Sequence, residues 1–375
     1  MDRELGSQET TEPPSKEEWN NWKWQFKNRL KTREKLEEIL ILNDCEKQAL
    51  TKQNLPIAIT PYYASLMSND DDNPIRKCVV PQIYETITSP EEATDPLGEE
   101  HQSPVSCIVH RYPDRVLFLT TKFCSVNCRF CTRSRIVGEH QSFNCGTTEW
   151  EAVFNYIQNH TEIRDVLISG GDPLTLDDDQ LEYFLSNIRK IKHVEIIRIG
   201  TKVPAVLPQR ITRKLCKMIK KYHPVYMSLH FTHPLELTKE TSKACCMLAN
   251  AGIPLGSQTV LLKGINDRPE TMKKLFTGLL KIRVRPYYLY IADKISGTKH
   301  FRTSIEVGIN IINSLRGFVS GYAIPQLIID SPNGGGKIAI LPNPVVQIDG
   351  NIWHLKNYKG EIIKYINEEY VENKN

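Results

Sequence analysis

From Arg115 onward the sequence repeats one pattern, and that pattern limits the fold more than any other feature. Short β-branched runs alternate with amphipathic stretches of helical period. The runs are residues 116–119, 166–169, 194–199, 225–229, 258–262 and 287–291. Between them lie helical stretches at 150–159, 181–189, 211–221, 241–250 and 271–280, and a further helical stretch at 305–316 precedes 326–330. Parallel neighbouring strands need a crossover, and a helix supplies it. The expectation is an α/β core, a parallel sheet with helices outside, either open or curled into a barrel. Six such units are fewer than the eight of a full (β/α)8 barrel. In both forms ligands sit at the carboxyl ends of the strands, so motifs there carry the functional weight.

Two motifs fall at such ends, and two more flank the core. Cys124, Cys128 and Cys131 follow the first run at the spacing C-x3-C-x2-C. Thiolates are soft ligands that suit iron–sulfur clusters or zinc. Three of them on a four-iron cluster keep one iron free for another molecule. Structural zinc needs a fourth ligand, and no nearby Cys or His supplies it at the usual interval. The plainer alternative is three buried core thiols. Gly170, Gly171 and Asp172 close the next run; two glycines let backbone amides approach a ligand, and the carboxylate suits an ammonium. By itself this triplet is also an ordinary turn. Arg111, Tyr112 and Arg115 gather guanidinium groups and a hydroxyl that suit phosphate, or else form a solvated turn. Lys337 follows Gly334, Gly335 and Gly336, but Ile338 after it breaks the nucleotide phosphate-loop pattern. What remains is a lysine on an open backbone, suited to a Schiff base with a carbonyl cofactor, or simply exposed in a turn.

The flanks read differently. Residues 1–14 are polar, with Pro13-Pro14, and read as a disordered tail. Ser15 and Glu18 form a capping-box signature, after which Trp19, Trp22, Phe26 and Leu30 fall on one helical face. Leu36, Ile39 and Leu40 mark a second helix, and residues 57–63 read as extended. Residues 15–104 thus form an N-terminal, mainly helical region, whose acidic stretch 91–104 reads as a linker. Residues 105–330 form the core, and 331–375 a C-terminal segment in which 347–370 reads as a small β-rich cap. A formal charge of +4 is too small and dispersed for nucleic acid. No apolar run reaches the roughly 18 residues of a membrane span. The polar start lacks a signal-peptide core. Ten cysteines with three clustered point to a reducing compartment, the cytoplasm, and the other seven, Cys107 and Cys145 among them, read as ordinary thiols.

Together, residues 124–131 with Thr132-Arg133, 170–172, 110–115, 284–290, 300–303, 315–317, 320–322 and 334–337 resemble the lysine 2,3-aminomutase family of radical S-adenosylmethionine (SAM) enzymes. The resemblance implies a partial (β/α)6 radical SAM barrel with an N-terminal helical extension and a small C-terminal β-rich segment. It implies a reduced [4Fe-4S] cluster on Cys124, Cys128 and Cys131 that cleaves SAM to a 5′-deoxyadenosyl radical. That radical takes hydrogen from C3 of an amino acid held on pyridoxal 5'-phosphate (PLP), and nitrogen migrates from C2 to C3. Lys337 is then the PLP lysine, with Arg111, Tyr112 and Arg115 around the phosphate. Gly170, Gly171, Asp172, His230 and Gln258 match the SAM site. Arg133 matches the position that pairs with the substrate carboxylate, and Asp293 and Asp330 those that hold its ε-ammonium. Two carboxylates at successive strand ends ask for a cation between them, because buried charge is costly unless paired. L-Lysine is therefore the expected substrate and β-lysine the product. Arginine 2,3-aminomutation, or β-lysine formation for translation-factor modification, is the alternative. An electron donor such as flavodoxin or ferredoxin is implied, and a homo-oligomer is left open. The chain departs from the family pattern in having no cysteine after Cys246 and Arg268 at a zinc-ligand position, so no zinc is expected. Asn333 stands where glycine is common, and Lys294 follows Asp293.

Overall fold

The computed structural model describes residues 13–52, 55–137 and 145–368. The tail expected at 1–14 falls outside these, apart from Pro13 and Pro14, as does the far end of the C-terminal cap. One nine-stranded sheet runs in chain order. Its strands are β1 (Ile108–Tyr112), β2 (Arg115–Thr121), β3 (Asp165–Gly170), β4 (Ile196–Thr201), β5 (Val225–His230), β6 (Leu255–Leu261), β7 (Arg285–Ile291), β8 (Gln326–Ser331) and β9 (Gly336–Ile340). Strands β2 to β8 pair in parallel. A helix follows each of β2 to β7: Thr147–Asn159, Asp178–Lys190, Arg213–Lys220, Lys239–Asn250, Pro269–Lys281 and Ile305–Leu315. These are the six expected βα units. Strand β8 adds a seventh parallel strand, and β1 and β9 flank the set as antiparallel edges. Tyr112 on β1 accepts a hydrogen bond from the Lys337 backbone N–H on β9 at 3.0 Å, so the two edges meet and the sheet nearly closes into a barrel.

Side-chain alternation assigns the two faces of each strand. In β3, Val166 and Ile168 are fully buried toward the helices, whereas Ser169 lines the interior cavity. In β6, Leu255, Ser257, Thr259 and Leu261 are buried, and the half-buried Gln258 and Val260 line the cavity. The helices close the outer layer with Leu181, Phe184, Leu185 and Ile188, and with Met272, Leu275, Phe276 and Leu279. Each such side chain contributes about 1.5–3 kcal/mol by leaving water. The core therefore lies between sheet and helices, and the barrel interior is free for chemistry.

Three expectations change. The single helical face from Trp19 to Leu30 is broken at Asn21, whose side chain accepts from Lys23 N–H at 2.9 Å and starts a new helix, Trp22–Lys27. Asparagine competes for the backbone, which makes it a cap and not an interior residue. The fully buried position is Gln25, held by Trp19 O and Tyr62 N–H. Residues 57–63 are only partly extended: Ile59 bridges Leu30, then Thr60 caps a short helix, Pro61–Ala64. Cys107 and Cys145, read as unrelated thiols, are brought together with Cα atoms 6.1 Å apart. Cys107 precedes β1, and the chain returning from the cysteine loop passes beside it at Cys145.

At the C-terminus, β10 (Val345–Asp349), β11 (Ile352–Lys356) and β12 (Ile362–Ile366) form a separate antiparallel sheet, in line with the β-rich reading. The stretch at 91–104 is not a free linker. Residues 96–99 are buried, a strap between the cysteine loop and the Lys337 loop.

Candidate active site

The cysteine loop leaves the carboxyl end of β2, and its intervening residues fix it from behind. Arg29 donates to the Cys124 carbonyl. Asn127 donates from its backbone to Ala58 O at 2.9 Å and from its side chain to Pro56 O at 2.9 Å. Arg129 grips Glu85 with two nitrogens and donates to Leu55 O at 2.7 Å. Held in this way, Cys124, Cys128 and Cys131 line one cavity with Arg133, Gly170, Gly171, Asp172, Lys202, His230 and Gln258. The cavity holds about 950 Å³ of atom-free space, part of it open to solvent. Burial, then the sulfurs' mutual repulsion, pushes the thiols up, Cys128 to about 12. Three anionic sulfurs therefore need a cationic centre to hold them. Three thiolates lining one cavity suit a cluster, in which each iron takes its own thiolate.

The glycine pair also serves the packing of the loop. Gly171 N–H donates to Thr121 O, and Asp172 N–H to Phe123 O at 2.8 Å. A Cβ on Gly171 would stand 2.3 Å from the Phe123 carbonyl oxygen. The glycines let the β3 turn lie directly on the cysteine loop. Asp172 is likewise used inside the protein, accepting from Thr201 Oγ1 at 2.7 Å, Lys202 N–H at 2.8 Å and Leu174 N–H at 3.1 Å. Burial pushes its carboxyl up to about 6, against those hydrogen bonds. His230 meets the Gln258 side-chain amide, and Tyr287 donates to Gln258 Oε1 at 3.1 Å. Burial, then the charges of Lys202 and Arg133, pulls His230 down to about 3 and keeps it neutral.

A second group of residues gathers where β8 and β9 meet β1. Lys337 lies on β9, paired in register with Asp330, and not in an open turn. Its Nζ is 2.6 Å from Asp330 Oδ2 and 5.6 Å from the Tyr290 ring centre. Gly336, at φ 82°, turns the chain against the Tyr112 ring. Arg111 Nη1 lies 3.3 Å from Asp330 Oδ1, and Arg115 stacks on Tyr112 at 4.2 Å. Asp293, after β7, accepts from Thr132 Oγ1 at 2.7 Å.

Arg133 joins the two groups. It lines the cavity, and its Nε and Nη2 donate to Glu99 on the strap at 3.0 and 2.7 Å. Burial works against both charges, but each outweighs it for the other: Arg133 is raised and Glu99 lowered.

Four of these groups escape a reading of the sequence. Lys202 carries a strand-end signal, one residue past β4, and pairs with buried Glu236 at 2.7 Å. Thr132 and Tyr290 sit inside recognised motifs without a signature of their own. Glu99 gives none, because it lies in an acidic stretch typical of solvated loops.

A family model described as Radical SAM superfamily matches residues 118–276, and one described as Lysine-2,3-aminomutase matches residues 312–375. L-lysine 2,3-aminomutase of Acetoanaerobium sticklandii is 48% identical over 354 residues, covering 94% of this chain and 85% of that protein. The enzyme of the same name from Methanococcus maripaludis is 49% identical over 354 residues, covering 93% and 82%. Glutamate 2,3-aminomutase of Clostridioides difficile is 44% identical over 361 residues, covering 96% and 85%. A radical SAM domain works with S-adenosylmethionine and a four-iron cluster, which the cysteine cavity suits in its donor set. With relatives this similar along nearly the whole chain, the protein belongs to the lysine 2,3-aminomutase family of radical SAM enzymes.

Proposed function

We propose that the protein moves the 2-amino group of L-lysine to C3, giving β-lysine, with PLP as a third cofactor. The observation that carries the choice of lysine is the acidic pair, Asp293 and Asp330, beside Lys337. Asp330 now has the Lys337 ammonium at 2.6 Å. When that nitrogen carries PLP, Arg111 Nη1 at 3.3 Å is the cation that remains on Asp330, so the two carboxylates still need a second. A lysine ε-ammonium between Asp330 and Asp293 meets the need, whereas a glutamate side chain adds a third negative charge.

The chain's own residues divide the remaining work. Cys124, Cys128 and Cys131 hold the cluster. Asp172 braces the turn that carries Gly170 and Gly171, and neutral His230 and Gln258 offer hydrogen bonds to SAM. Arg111, Tyr112 and Arg115 would hold the PLP phosphate, and the partly exposed Lys337 would bind its carbonyl carbon. Arg133 takes the substrate carboxylate. When bound, the cluster and SAM supply a hydrogen-abstracting radical, and PLP carries the migrating nitrogen. A low-potential donor of the flavodoxin or ferredoxin class fits the need for reduction, and cluster thiolates suit the cytoplasm.

The test is anaerobic incubation with SAM, PLP and dithionite, with lysine, arginine and glutamate supplied separately. β-Lysine from lysine is expected. Product from arginine or glutamate with none from lysine overturns the assignment.

A further inference from the structure

We infer that Glu99 is a positioning residue that aims Arg133 at the carboxylate end of the substrate. This rests on the reading that Arg133 takes that carboxylate. A guanidinium offers five N–H donors along fixed edges. Glu99 occupies one edge, with Nε at 3.0 Å and Nη2 at 2.7 Å. Among the described residues nothing accepts from Nη1, and Arg133 lines the cavity. The free edge is therefore presented to the site in one orientation, ready for a paired contact with a carboxylate.

Glu99 is itself immobilised. Its side chain is 5% exposed, and Arg135 Nη2 lies 3.3 Å from its other oxygen. Arg135 is held in turn by Asp95 at 3.4 Å and Glu100 at 3.1 Å. The same segment reaches the PLP side. Leu97 O accepts from Arg111 Nη2 at 2.7 Å, and Gln102 Oε1 from Arg111 Nε at 2.7 Å. Pro96 O accepts from Asn333 N–H at 3.1 Å, and Gln102 Nε2 donates to Gly334 O at 3.2 Å. One short stretch thus sets Arg133 on one side and the loop before Lys337 on the other. A buried carboxylate against a half-buried guanidinium is a poor source of stability compared with apolar packing. Orientation of the free edge is what the arrangement provides.

The test compares two amines that differ in the carboxylate. PLP-loaded protein, without SAM, is titrated with L-lysine and with 1,5-diaminopentane, and the shift in PLP absorbance is followed. Glu99→Ala is expected to weaken lysine binding by about tenfold or more and diaminopentane by less than about twofold. Glu99→Gln, which keeps the shape and part of the hydrogen bonding, falls between wild type and Glu99→Ala for lysine alone. Equal weakening of both amines, or no change in either, overturns the inference. If Glu99→Ala does not fold, Glu99→Gln alone decides by the same comparison. Failure of wild-type protein to change absorbance with either amine is a separate outcome, and it overturns the underlying PLP reading.

Discussion

Asp293 holds its carboxyl up to about 6 through burial first, and through Asp330 beyond that, against the hydrogen bond from Thr132. An ordinary aspartate titrates at about 3.9, so burial beside Asp330 disfavours the charged form. The sign follows. Above pH 6 the buried charge subtracts from folding stability, and the loss disappears as pH falls from about 6 toward 4. A bound ammonium reverses the preference and favours the charged carboxylate. Lysine binding therefore releases a proton near pH 6, and affinity rises with pH through that value, by at most about tenfold per pH unit. Titration of PLP absorbance with lysine between pH 5 and 8 checks this. Asp293→Asn is expected to bind weakly at every pH and to lose this pH dependence, and retention of the same slope refutes the assignment.

At the scale of elements, the turn after β3 and the cysteine loop behave as one unit. Their backbones touch, and Gly171 is the reason they can. In Gly171→Ala the new methyl meets the Phe123 carbonyl oxygen at 2.3 Å, and backbone on both sides must shift. A cost of about 1–3 kcal/mol is expected, the scale of overpacking. Because the shift falls on the cysteine loop, iron and sulfide per chain should fall in purified protein, and unchanged cluster content refutes the coupling. The six βα units were legible because hydrophobic period survives without partners in view, and the cysteine spacing because soft ligands cluster for few other reasons. Strands β1 and β9 were not, since Ile108-Val-His-Arg-Tyr and Gly-Lys-Ile-Ala-Ile are short edges whose pairing depends on distant chain. Lys337 read as a loop residue because three glycines precede it, yet its register with Asp330 makes it a strand residue. Asn21 stood inside a helical stripe and broke it, since cap chemistry outweighed periodicity. Glu99 was invisible for a further reason: burial of a charge is decided by its partner, here Arg133 in another element.

Across the whole molecule, the site draws on both edges of the sheet, and the barrel's near-closure brings them together. Tyr112 on β1 meets Lys337 on β9, and Arg111 meets Asp330 on β8. The buried strap at residues 96–99 spans the same region, tied to Arg133 at one end and to the Asn333–Gly334 turn near the other. If Arg133 takes the substrate carboxylate and the acidic pair its ε-ammonium, as proposed, the span between them is a gauge length. A substrate must match it at both ends at once. Ornithine carries the same two charges on a chain one methylene shorter, roughly 1 Å, and a misplacement of that order costs on the order of 100-fold in rate. Lysine should therefore exceed ornithine in kcat/KM by about that factor, and near-equal values refute a fixed gauge. Selectivity for amino-acid length then resides in the strap's hold on Arg133 and on the turn before Lys337.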